Sequence, residues 1–444
     1  MATQKNNNVE QVTVIGAGLA GAEATYQLIR RQIPVKFCEM RPNANTGAHT
    51  TDLFAELVCS NSIGSNLPDR APGLLKEEMR LLGSYFMDVA YKYRVPAGNA
   101  LAVDRGAFSR EITRYLKGHK FVEFVNEEIT EIPDKGYVVI ATGPLTSSKF
   151  MKSLEKLIGK KHLEFFDAIA PVVTAESIDK KIAFRGDRYG EVGQGDYINC
   201  PMNKEEYLAF VKALTEAERI ALPEFEKSAR KKFFTACQPV EVIADTGVDS
   251  LRFGPMKPVG FVDPRTGKRP WAIVQLRQDN LLASLYNMVG FQTNLKHAEQ
   301  QRVFRMIPGL QNAEFVRLGQ MHRNSYIKSP DLLLPTMQLK KDPRIFFAGQ
   351  ISGVEGYAES AATGMIAGLN ISRLIQGKEL LVMPPQTIIG ALINYITYGG
   401  HKKFNPMNAN FGLFKTDSKL KGELRREMII RAARKKLREF YDSM

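Results

Sequence analysis

The ten residues VTVIGAGLAG, positions 12–21, restrict the possible folds of this chain more than any other stretch. Val12 to Ile15 form a short apolar, β-branched run suited to a buried parallel strand. A glycine turn follows. Gly16 permits the sharp reversal, Gly18 lets a phosphate approach the backbone, and Gly21 lets the following helix pack on the strand, with Ala17, Leu19 and Ala20 completing the turn. The helix N-terminus then offers free N–H groups and a positive dipole end to a pyrophosphate. The next strand, VKFCE, ends in Glu39, placed to hydrogen-bond a ribose hydroxyl. Strand, glycine turn, helix and acid together predict a dinucleotide-binding unit, with Cys38 packed inside its second strand.

Two later segments narrow the choice of dinucleotide. KGYVVIATGPLTS (135–147) is another buried strand, closing on Thr142 and Gly143. RIFFAGQISGVEGYAESAATGMIAGLNISRLI (344–375) reads as a strand, a glycine-rich link with Gly349 and Gly356, and a helix of small residues starting near Tyr357. Small residues there let a flat ligand and a second helix lie close to the chain. The first and last signatures are about 330 residues apart. One nucleotide domain is therefore expected to assemble from both ends of the chain. That layout resembles FAD proteins with two Rossmann-type signatures and does not suit a nicotinamide dehydrogenase. An S-adenosylmethionine methyltransferase can share the first turn, but has no use for the distal block. The expected class is α/β: a Rossmann-like FAD-binding domain from residues 1–147 plus 328–444, with an inserted α+β domain at 148–327.

Within the insert, 204–220 has helical periodicity through Leu208, Val211 and Leu214, whereas PWAIVQL and LYNMVGFQT (285–293) read as strands. In the tail, Leu420, Leu424, Met428, Leu437 and Tyr441 suggest an amphipathic helix with a cationic outer face. The net charge of +14 points to a polyanionic partner, nucleic acid being the commonest. Residues 415–444 carry ten Lys/Arg against five Asp/Glu, and EKSARKKFF (226–234) and LIGKKHLEF (157–165) add basic patches. Four cysteines without metal-ligand spacing argue against a disulfide framework or a zinc site. With no signal-peptide pattern and no membrane-length apolar run, a cytoplasmic location is expected.

Long, unusual blocks carry a family resemblance: TTDLFAELVCSNSIG, GLLKEEMRLLGS, VPAGNALAVDR, FGPMKPVGFVDPRTGKRPWAIVQLRQDN, NMVGFQTNLK, RMIPGLQNAEFVR, MHRNSYIKSP and FNPMNANFGL. Across almost its whole length the chain resembles the TrmFO family of folate- and FAD-dependent RNA uracil-5-methyltransferases. The related GidA (MnmG) wobble-uridine enzymes share the flavin signatures but lack most of these blocks. The resemblance implies that methylenetetrahydrofolate gives the carbon, reduced FAD gives the hydride, and NADH or NADPH reduces the flavin. It implies a uridine in RNA as acceptor, in the T-loop of tRNA or, in a related branch, in 23S ribosomal RNA. The oligomeric state stays open, and no membrane or metal is implied.

Such chemistry needs thiols. Uracil C5 is a poor nucleophile until something adds to C6, and a thiolate is a soft, partly ionised adduct-former; the C5 proton must then be removed. The matching positions are Cys237, in FFTACQPVEV, as nucleophile, and Cys59, in ELVCSNS, nearer the flavin as proton acceptor or guard. Cys200 reads as packing. For folate the resemblance suggests His322, Arg323 and Asn324, with Lys257, Arg277 and Gln278 as weaker candidates; Tyr357 is suggested for the flavin ring. The chain departs from the family pattern at Pro68, Asp69, Arg70 and Pro72 and at Thr235 and Gln238, which flank the two cysteines. A small-molecule flavin oxidoreductase is the remaining enzyme class, but would need neither the basic surface nor both cysteine blocks.

Overall fold

The computed structural model describes residues 11–444 except 45, 160–161, 192, 221–237, 399–403 and 415–421, and omits the side chains of 162–167 and 322–323. Its central sheet runs in the order Gln338–Leu339, Asp342–Phe347, Val138–Ile140, Val12–Ile15, Val35–Cys38, Val122–Val125. Only the Gln338–Leu339 edge strand is antiparallel to its neighbour. Thr13 sits opposite Val138, and Ile345 lies on the other side of the same residue. The two ends of the sequence are thus joined in one parallel sheet. The strand cores are fully buried, which accounts for their near-continuous apolar runs.

The helix Leu19–Ile29 follows the glycine turn and packs on Tyr357–Ile375, from the far end of the chain. Close approach is possible because the contact is made by glycine and alanine. A Cβ at Gly364 would lie 2.1 Å from the Ala20 carbonyl oxygen, and one at Gly368 would lie 2.7 Å from that of Ala24. Backbone cannot step aside as a side chain can. Gly364→Ala is therefore expected to destabilise the protein by about 3 kcal/mol, the upper end for an overpacked core, as measured by chemical denaturation.

A second, antiparallel sheet has the order Phe184–Arg185, Tyr197–Met202, Ala272–Gln278, Leu285–Met288, Val172–Thr174, Phe315–Arg317. It has its own hydrophobic cluster, including Cys200, Tyr207, Phe210 and Phe291, apart from the cluster around the parallel sheet. An antiparallel pair, His162–Ala168 with Met321–Ile327, carries the chain out of the first sheet and back. The fold is thus α/β, a Rossmann-like domain built from both ends with an α+β insertion. No helix of the described residues is long and apolar enough to cross a membrane.

Two helical faces differ from expectation. Lys204–Glu216 starts on a capping box between Asn203 and Glu206, and buries Tyr207, Phe210, Val211 and Leu214; Leu208 is exposed. In the tail, Gly422–Asp442 buries Ile429, Ile430, Ala433 and Leu437, leaving Leu424, Met428 and Tyr441 in solvent, whereas Leu420 lies outside the described residues. The docked face is selected by its partner, the helix Ala71–Leu81. Arg434 bonds Glu77 there at 2.7 Å, and Arg426 pairs with Asp69 just before it at 3.5 Å.

Candidate functional site

The C-terminal ends of the parallel strands open into a cleft with about 990 Å³ of empty space, the usual place for a ligand in such a sheet. Gly16, Gly18, Leu19, Ala20, Glu39, Thr142, Gly143 and Tyr357 all line it. Gly16 has φ +101°, and a Cβ there would strike the Ala141 carbonyl oxygen at 2.5 Å, so glycine is required for the turn. Gly18 is the reverse case: its backbone is extended, and a Cβ would meet nothing within 4 Å. The first helical turn carries no side-chain cap, so its N–H groups face the cleft without a protein side chain bonded to them. Ala17, Gly21, Gly349 and Gly356 do not line the cleft. Gly21 presses on the Gly16 carbonyl, Gly349 donates its N–H to Thr363 Oγ1 at 2.8 Å, and Gly356 precedes the Tyr357 helix.

Glu39 closes the second strand at the cleft wall. Its Oε2 accepts the Ala17 N–H at 2.9 Å, and its Oε1 accepts both the Arg41 N–H and Arg41 Nε at 3.0 Å. Arg41 Nη1 then reaches Glu56 Oε2 at 3.1 Å, and Glu56 also accepts bonds from the N–H and hydroxyl groups of Thr50 and Thr51. Burial pushes both carboxyls up, but these donors outweigh it and hold both below the ordinary 4.5. A carboxylate depressed in the folded state stabilises the fold above its unfolded value and loses that contribution as pH falls through the folded one. Melting temperature is accordingly expected to drop as pH falls below about 4.5, and Glu39→Gln should make the acid limb shallower.

Glu56 begins the ELVCSN segment, so the cleft wall leads directly to Cys59. Cys59 is half-buried and does not itself line the cleft, although its neighbour Val58 does. The Tyr357 phenol oxygen accepts the N–H of Cys59 at 2.8 Å and of Ser60 at 3.1 Å. Cys59 Sγ faces the Ala168 carbonyl at 3.9 Å. Cys38 and Cys200 are buried, and burial pushes their thiols up to about 11 and about 12, which makes both unreactive.

Residues 11–379 match the family model described as Glucose inhibited division protein A. A relative from Desulforudis audaxviator, named methylenetetrahydrofolate–tRNA-(uracil-5-)-methyltransferase TrmFO, is 58% identical over 91% of this chain and 91% of its own. One of the same name from Moorella thermoacetica is 53% identical over 95% and 96%. The chain belongs to the TrmFO family. In fold it is similar to the crystal structure of Aquifex aeolicus GidA, with a TM-score of 0.69, 18% identity, and coverage of 97% of this chain and 73% of that one.

Cys237, the other cysteine singled out in the sequence, lies outside the described residues, as do 226–234 and Thr235. The backbones of His322 and Arg323 pair with Asp167 and Phe166; Asn324 follows on the same strand and is buried. Asn324 does not line the cleft. The Lys257 carbonyl accepts from Arg188. Arg277 and Gln278 hold Asn61: Arg277 Nε donates to Asn61 Oδ1 at 3.0 Å, and the Gln278 carbonyl accepts from Asn61 Nδ2 at 2.8 Å. The departing segment at 68–72 is where the Ala71–Leu81 helix begins, and its Asp69 meets the tail helix. Sequence reasoning gave no role to Arg41, Glu56, Arg105, Asp279 or Arg317, although all but Arg41 lie inside the blocks that carry the family resemblance. Among the described residues no group of His, Cys, Asp or Glu could hold a metal ion.

Proposed function

We propose that the protein forms 5-methyluridine in tRNA, at the T-loop uridine, with methylenetetrahydrofolate as carbon donor, FAD as redox cofactor and NADH or NADPH as reductant, in the cytoplasm. The observation that carries this reading is identity above 50% with relatives named for that activity over nine-tenths of the chain. The cleft supports it. The uncapped helix end and the open space at Gly18 suit a pyrophosphate. Glu39 suits a ribose hydroxyl, which would replace its longest donor, Arg41 Nη2 at 3.3 Å. Gly16, Leu19, Ala20, Thr142 and Gly143 would hold the rest of the dinucleotide, with Tyr357 at the ring end. Bound there and reduced by NADH or NADPH, FAD would supply the hydride that completes the methyl group.

The chain's own residues handle the uracil. The Cys237 thiolate adds to C6 and pushes an electron pair to C5, which then bonds the donor carbon. Cys59 takes the C5 proton as the carbon–nitrogen bond to the folate breaks and tetrahydrofolate leaves, and hydride addition to the resulting exocyclic methylene expels the Cys237 thiolate and restores the C5–C6 double bond. In this reading residues 1–147 with 328–444 hold the dinucleotide, and 148–327 carry folate and RNA contacts, with His322, Arg323 and Asn324 at the folate edge. Incubating the protein with methylenetetrahydrofolate, NADPH and either bulk tRNA or 23S ribosomal RNA tests it. Nuclease mapping should find 5-methyluridine at the tRNA T-loop; modification confined to ribosomal RNA would overturn the substrate, and none in either would overturn the activity.

A further inference from the structure

Cys59 is clamped on both flanking peptide bonds by two side chains. Tyr357 takes both N–H groups, those of Cys59 and Ser60. Arg317, which ends the Phe315–Arg317 strand, takes both carbonyls: Nη1 donates to Val58 O at 3.1 Å and Nη2 to Cys59 O at 3.2 Å. One clamp comes from the parallel-sheet domain and the other from the inserted sheet. With all four polar groups of these peptides engaged, the backbone torsions of Cys59 are pinned and Sγ has a fixed origin.

The charges around this loop are unbalanced. Arg105, the first residue of the Arg105–Lys117 helix, reaches Leu57 O, and Arg277 bonds the Asn61 side chain. Arg105 pairs with Asp279, whose Oδ1 has no partner among the described residues, and Arg317 Nε has none among them either. Three arginines therefore face one carboxylate in a largely buried setting. Burial, reinforced by the nearby Arg105 charge, pulls Arg317 down to about 10. Such a surplus of positive charge favours an anion. Among the described residues Cys59, Tyr357 and, against Arg277, Tyr197 face it, and burial drives both phenols upward, away from ionisation.

We propose that Arg317 is the positioning residue of Cys59, fixing the two peptides that carry it and supplying the positive charge that offsets its thiolate. The proposal rests on the reading that Cys59 takes part in the reaction. It is tested by Arg317→Met and Arg317→Lys in the flavin-loaded protein, with flavin absorbance and melting temperature as checks on folding. Iodoacetamide labelling of Cys59, followed by mass spectrometry across about pH 6 to 9, gives its ionisation profile. Arg317→Met should move that profile alkaline by about one unit, lowering the neutral-pH rate about tenfold. Arg317→Lys should keep the profile, because the charge remains, yet lower methylation kcat about tenfold with little change in KM, because one ammonium cannot grip two carbonyls in fixed geometry. An unchanged profile in folded Arg317→Met, or wild-type kcat in Arg317→Lys, overturns the proposal. If Arg317→Met does not fold, the kcat of Arg317→Lys decides. Full methylation by Cys59→Ala would remove the underlying reading; loss of activity there with wild-type behaviour of both Arg317 variants removes only this proposal.

Discussion

Gly18→Val is expected to give a folded, colourless protein. The extended backbone of Gly18 accepts any residue, and its Cβ direction is empty within 4 Å, so the side chain has room in the ligand-free fold. That room is the space a pyrophosphate would occupy above the uncapped helix end. Flavin affinity should fall at least about 100-fold, which is about 2.7 kcal/mol, with the melting temperature of the flavin-free protein unchanged. Gly21→Ala is the contrasting variant: its Cβ would lie 1.8 Å from the Gly16 carbonyl oxygen, so cofactor and fold should be lost together. Flavin content of the purified variants, beside their flavin-free melting curves, separates the two causes. A yellow Gly18→Val protein with wild-type affinity would show that the dinucleotide lies elsewhere.

Cys237→Ala and Cys59→Ala should each lower methyl transfer by at least about 10³-fold while leaving the protein yellow, because in the proposed reaction each removes a group that acts on the base and neither lies in the glycine turn. Serine at either position should fail almost as completely, since a hydroxyl is far less ionised than a thiol at neutral pH. Single-turnover methylation of tRNA, with flavin absorbance recorded on the same samples, measures both halves of the expectation. Wild-type turnover in either alanine variant removes that residue from the chemistry.

The glycine-turn side of the cleft was legible because its determinants are local. VTVIGAGLAG places strand, turn and helix within ten residues, and Glu39 follows at the end of the next strand. The distal RIFFAGQ signature was legible as a strand and a small-residue helix, and the purpose of its glycines becomes visible only where Gly364 and Gly368 meet Ala20 and Ala24. The Cys59 clamp was not legible. Arg317 and Tyr357 lie 258 and 298 residues from their partners, and nothing in QNAEFVR marks its last residue as a partly buried arginine. The tail shows another limit. Leu424, Met428 and Leu437 fit one helical stripe on paper, but periodicity does not say which face has a partner, and the ion pairs of Arg426 and Arg434 turn Ile430, Ala433 and Leu437 inward. Arg277 and Gln278, read as weaker candidates for folate, tie the antiparallel sheet to Asn61 in the Cys59 segment, a contact that needs the tertiary fold to be seen.

The origin of the transferred carbon tests the account most directly. Methylenetetrahydrofolate labelled with carbon-13 in its methylene group is incubated with the flavin-loaded protein, NADPH and unmodified tRNA, and the nucleosides are resolved by mass spectrometry. The account predicts 5-methyluridine that carries the heavy carbon, formed without S-adenosylmethionine. Unlabelled 5-methyluridine that appears only when S-adenosylmethionine is supplied would contradict it.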